Sequence, residues 1–240
     1  MLICFLLPVP RRLMERARRN ESKNNLKQIG LALHNYNDAF QQFPVGTVSH
    51  PDLAPEARLS WIVGLLPDLD QATLSREIDQ SKGWSDAVDA PHLKSNIPCL
   101  LNYWNGNAPL RDGSAVSHYV GIAGVGKEAA NLPISDQRVG AFGYDRQVRV
   151  EDVTDGLSNT MFVTEVSQNL GPWSRGGMAT IRALTTKPYI NGPDGIGNKC
   201  FDHIQVLFGD GSVRVVSKDI DPAIFEALAT IHGGEAIGEF

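Results

Sequence analysis

The chain reads as an α+β protein with a long N-terminal helix. Three observations lead there: a helical stripe of apolar residues early in the chain, a run of glycine-, asparagine- and aspartate-rich turns in the middle, and a tight β-hairpin near the end. The expected architecture is a helical stem packed on an antiparallel sheet, with short additional helices.

The stripe is Leu26, Ile29, Leu33, Tyr36 and Phe40, with steps of three and four residues. Leu13, Met14 and Ala17 extend it backwards, while Arg18 to Asn25 is polar all round, as an exposed helix segment would be. Phe43-Pro44-Val45-Gly46 ends the helix, because proline cannot continue it and glycine turns the chain. This places a stem at residues 1–42 and a globular α+β body at 43–240.

Two short helices are expected at Leu59 to Leu66 and Leu69 to Ile78, separated by Pro67-Asp68. His92 to Cys99 is a loop or a further short helix. Residues 102–147 carry short apolar pieces such as Tyr119 to Ile122 between turns, and Thr160 to Val166 reads as a strand. Residues 183–200 form a long loop. Ile204 to Phe208 and Ser212 to Ser217 flank Gly209-Asp210-Gly211, which is a hairpin signal. Asp221-Pro222 then opens a last helix over Ala223 to Thr230.

Charge is unevenly spread. The net charge is −5, yet residues 1–30 hold seven basic and two acidic side chains, so a basic collar precedes an acidic remainder of −10. An acidic body repels phosphates, so no nucleic-acid partner is expected. The collar suits anionic lipid headgroups or the acidic body of a neighbouring copy. A solvated helix face explains it equally well. The opening Met1 to Pro8 is apolar but far shorter than the ~20 residues of a membrane-spanning helix.

Of the three cysteines, Cys99 and Cys200 are the pair available for one disulfide if the body is exported. No cysteine or histidine spacing resembles a zinc site. Gly121 to Glu128 approaches a phosphate-binding loop, but Glu128 stands where a magnesium-binding hydroxyl is needed. There is no nucleophile elbow around Ser158 or Ser212 and no H-E-x-x-H, so no catalytic or cofactor-binding residue is assigned and no enzyme is expected. Asp155, Ser158, Asn159 and Asp210 offer an oxygen-rich set that calcium could use, although turns favour the same residues.

One stretch carries more. Leu6-Leu7-Pro8, the basic helix, the run Asn24-Asn25-Leu26-Lys27-Gln28-Ile29-Gly30-Leu31-Ala32-Leu33-His34-Asn35-Tyr36, and Phe43-Pro44 together resemble a large bacterial family of prepilin-type proteins. Leu59-Ser60-Trp61, Pro98-Cys99, Asp155 to Thr160 with Glu165, Pro172-Trp173, Leu207 to Arg214 and Gly233-Gly234-Glu235 continue the likeness. Asn24, Asn25, Leu26, Gln28, Gly30, His34, Tyr36 and Pro44 are its motif residues. The resemblance implies a pilin-like fold, a cleaved and methylated N-terminal signal, an anchor in the inner membrane with the body outside the cytoplasm, and other pseudopilin-like subunits as partners through the stem. Calcium sites in the C-terminal loops occur among such proteins. Only the tail of the family's apolar segment is present, and the remainder is expected upstream of Met1. Ser22 stands where a cysteine is common. The resemblance implies a structural or assembly role; the alternative is a membrane-tethered solute- or carbohydrate-binding domain using Trp61, Trp84, Trp104 and Trp173 as stacking surfaces.

Overall fold

The structure is a computed structural model and describes residues 11–87, 91–102, 109–198 and 200–234. The apolar start with Leu6 to Pro8, Cys4, Trp104 and Glu235 lie outside the described residues.

Helix α1 runs Arg11–Phe40, about 45 Å at 1.5 Å per residue. Its stripe is buried where it meets the body: Leu26, Ile29 and Leu33 are at most 2% exposed, and Ala32 joins them. The stripe then runs out, since Tyr36 is half-buried and Phe40 is 61% exposed. Gln41 closes the helix in the left-handed region at φ 57°, and its amide bonds back to the Asn37 carbonyl at 2.7 Å. The stop therefore comes before Pro44, through a left-handed closing residue.

The first short helical segment is a chain of turns: α2 at Ile62–Leu65, a 3-10 turn at Leu66–Leu69 and α3 at Ala72–Glu77. Pro67 sits inside the 3-10 turn instead of separating two helices; Asp70, at φ 58°, makes the break. A short α4 follows at Trp84–Ala87, and 3-10 turns occupy Pro91–Lys94 and Pro98–Leu100.

Five strands form one sheet: β1 Tyr119–Val125, β2 Met161–Glu165, β3 Ile181–Leu184, β4 His203–Phe208 and β5 Val213–Ser217. Their order is β3-β1-β2-β4-β5. The expected antiparallel sheet needs correction, because β3 pairs parallel to β1, Gly121 opposite Ile181. β1–β2, β2–β4 and β4–β5 are antiparallel. The hairpin lies where expected, and Gly211 adopts φ 79° in its turn, a conformation glycine takes without Cβ strain.

The central strands β1, β2 and β4 are buried on both faces of the sheet. On one, Leu26, Ile29 and Leu33 of α1 share a core with Phe162 and Leu207. On the other, α5 at Pro222–Leu228 packs Phe225 and Leu228 against Val120, Ile122, Ile204 and Val206. Asp221 caps α5 by accepting from the Ala223 amide at 2.8 Å. A division at residue 42 thus runs through a shared core, because α1 supplies one wall of it.

Candidate functional site

The most unusual group in the interior is a carboxylate. Glu165 ends β2 and is 1% exposed. A buried carboxylate is costly unless donors surround it. Donors from separate parts of the chain meet this demand. From α1, the Ser22 hydroxyl donates to Oε1. Asn102 Nδ2 donates to the same oxygen at 3.2 Å. From β4, the Gln205 amide donates to Oε2 at 2.8 Å. Tyr119, directly opposite Glu165 in the β1–β2 register, donates its hydroxyl to Ser22 Oγ at 3.1 Å.

The stem motif enters this network. Asn25 lies three residues after Ser22, on the same helix face. Its Nδ2 donates to the Leu101 carbonyl at 2.9 Å and to the Tyr119 hydroxyl at 3.2 Å. The Asn102 amide in turn donates to His118 Nδ1 at 3.1 Å, and Gln205 Nε2 reaches the Arg19 carbonyl at 3.2 Å. Burial is the main influence on Glu165 and holds its pKa above the usual carboxylate value, with the donors offsetting part of that rise. Tyr119 is likewise pushed up, first by burial and then by the neighbouring Glu165 charge.

The space left beside Glu165 is about 10 Å³, bounded by Arg18, Arg19, Asn198, Phe201, His203 and Gln205. That is the room of a single water. The carboxyl faces the chain's own donors, and what the cluster does chemically is tie α1 to the sheet.

Two buried cations brace the rest. Arg146 donates to five backbone carbonyls, those of Ala123, Ala129, Leu132, Gly140 and Phe142, at 2.7 to 3.3 Å. Arg182 donates to the Asn169, Ile181 and Asp194 carbonyls. Burial lowers each pKa to about 10.

The residues expected from sequence fall in several places. Of the motif, Asn25, Leu26 and Gly30 face the body; an added Cβ at Gly30 would stand 2.8 Å from Leu207 Cδ1. Asn24 and Gln28 are exposed, Tyr36 is half-buried, and Pro44 is buried. His34 is half-buried, edge-on to Phe43 at 6.3 Å.

Three of the four oxygen donors considered for calcium, Asp155, Asn159 and Asp210, serve as loop braces. Asp155 accepts from the Gly233 and Gly234 amides at 2.7 and 3.0 Å, and Asn159 Nδ2 donates to the Asp155 carbonyl at 3.0 Å. Asp210 accepts from the Ser212 amide at 2.9 Å, and Ser158 is exposed. Among the described residues no group of three or more His, Cys, Asp or Glu is placed to hold a metal ion.

Of the pair considered for a disulfide, Cys99 is free and buried, whereas Cys200 is free and exposed. Burial pushes the Cys99 thiol up to about 11. Trp61 and Trp173 are core residues at 2% and 0% exposure, and Trp84 is partly buried against that core, so these three do not form an open stacking surface.

Sequence reasoning noted Glu165 and Ser22 only as part of a resemblance and gave no role to Asn102, Tyr119, Gln205, Arg146 or Arg182. The available signal was an acidic residue closing the otherwise apolar Met161-Phe-Val-Thr-Glu165-Val166.

A family model described as a protein of unknown function (DUF1559) matches residues 12–193. No curated protein and no solved structure matches the chain.

Proposed function

We propose, since the chain belongs to the family of unknown function DUF1559, that it is a non-enzymatic, pseudopilin-like protein held in the inner membrane by a segment preceding Arg11. Its body lies outside the cytoplasm, and its role is structural or in assembly. No helix among the described residues is long and apolar enough to cross a membrane; in this reading the anchor belongs to residues before them.

The observation that carries the reading is the two-part character of α1. Its middle is built into the core through Leu26, Ile29 and Leu33 and latched by Ser22 and Asn25. In the turn before Ser22, Arg16, Ala17, Arg19 and Asn20 are exposed. A helix seated through its middle and bare on the turn that leads towards its N-terminus serves as a stem, and a pilin-like arrangement uses its helix that way. The latch fixes the direction in which the stem leaves the body.

The test is to produce the chain with its native upstream coding sequence in a bacterium. The expected result is a product that stays in the membrane pellet through carbonate extraction, with a body digested by protease added to spheroplasts. A product that washes off with carbonate, or a body protected in intact spheroplasts, overturns the reading.

A further inference from the structure

We infer that the outer face of α1 docks a second copy of this chain, the basic half of one helix against the acidic end of the other. This deepens the assembly reading above by naming the partner and the surface.

Arg16, Arg19, Lys23 and Lys27 are all exposed. At 3.6 residues per turn they fall within roughly 80° of arc and make a positive stripe about 17 Å long. None of the four forms an ion pair with a described residue.

The complementary charge lies at the other end of the same face. Asp38 is exposed and, three helical turns beyond Lys27, returns to the stripe's side of the helix. Asp68 joins it there, since Asn35 Nδ2 donates to Asp68 Oδ1 at 3.1 Å, and the exposed Asp70 follows two residues later. No basic residue stands in the last turn of α1. Carboxylates gathered at the negative end of a helix dipole work against that helix, so local stability does not account for them. Between the two charged regions Leu31 is 63% exposed, a large aliphatic side chain on the stripe's flank. One face thus offers cations, an apolar centre and anions, and it is complementary to another copy of itself.

Sedimentation velocity on the 240-residue chain tests this. Self-association is expected at about 20 mM salt and is expected to weaken at least tenfold at about 500 mM, where the screening length is shorter than the stripe. A Lys23→Glu/Lys27→Glu variant and an Asp38→Lys/Asp68→Lys variant should each be monomeric, and an equimolar mixture of the two should associate again. Unchanged far-ultraviolet circular dichroism shows that each variant is folded. Three outcomes overturn the inference: a wild-type chain that stays monomeric at low salt, reversal variants that associate like wild type, or a mixture that stays monomeric. If the stripe serves a lipid surface instead, the wild-type chain remains monomeric while binding phosphatidylglycerol vesicles in a Lys23- and Lys27-dependent way. Because the membrane test above uses the product of the longer coding sequence, a monomeric chain that is nonetheless anchored would sink this inference alone.

Discussion

Ser22 on the stem helix donates its hydroxyl to Glu165 at the end of β2, across 143 residues of sequence. Both are buried, and the pair joins the stem to the centre of the sheet.

Removing the acceptor should be costly. Glu165→Ala strands the Ser22 hydroxyl, Asn102 Nδ2 and the Gln205 amide, each a buried donor worth about 1–3 kcal/mol when left unsatisfied. Chemical denaturation should show a loss of at least about 2 kcal/mol. A loss below about 0.5 kcal/mol would mean the network contributes nothing to stability.

Glu165 also predicts a pH dependence. Its folded pKa lies above the ordinary carboxylate value of 4.5, because burial disfavours the charged form. The folded state therefore holds this proton more tightly than the unfolded state. Its contribution is complete below 4.5 and falls as pH rises through the raised folded value. Measured relative to Glu165→Gln, wild-type stability should decline with rising pH over that window. A flat or rising difference would contradict the assignment.

The Arg146 guanidinium serves five carbonyls from its two terminal nitrogens, Nη1 reaching two and Nη2 three. Lysine offers three donors from one point, so Arg146→Lys leaves at least two carbonyls unserved. A destabilisation of about 2–4 kcal/mol is expected by thermal or urea unfolding. A change within about 0.5 kcal/mol would show that solvent replaces the guanidinium.

The cysteines should differ sharply in reactivity. Cys200 is exposed, so it should react with a disulfide reagent in the native protein, and Cys200→Ser should remove one equivalent. Cys99, buried and with its thiol raised to about 11, should react only after unfolding. Reductant should leave the melting temperature unchanged. A Cys99–Cys200 cross-link in a non-reducing peptide map would overturn this.

Local signals made much of the fold legible. The 3–4 spacing of Leu26, Ile29 and Leu33 located the buried face of α1, and Gly209-Asp210-Gly211 located the hairpin, because each depends on neighbours in sequence. β3 was not legible. It is four residues long, contains Arg182, and exists through parallel pairing with β1 some 60 residues earlier. The Glu165 cluster was hidden for a related reason. Its donors come from α1, from the segment before β1 and from β4, and a carboxylate next to strand residues reads as a solvent-facing one.

The sequence separation within the latch orders events during synthesis. At 5–20 residues per second, Glu165 leaves the ribosome roughly 7–30 s after Ser22. Gln205, which supplies the opposite side of the carboxylate, comes later still. For that interval the apolar stripe of α1 has no sheet to cover it. α1 is made before every strand of the sheet, yet its latch is complete only after Gln205 has emerged, so the stem closes on the body late in synthesis.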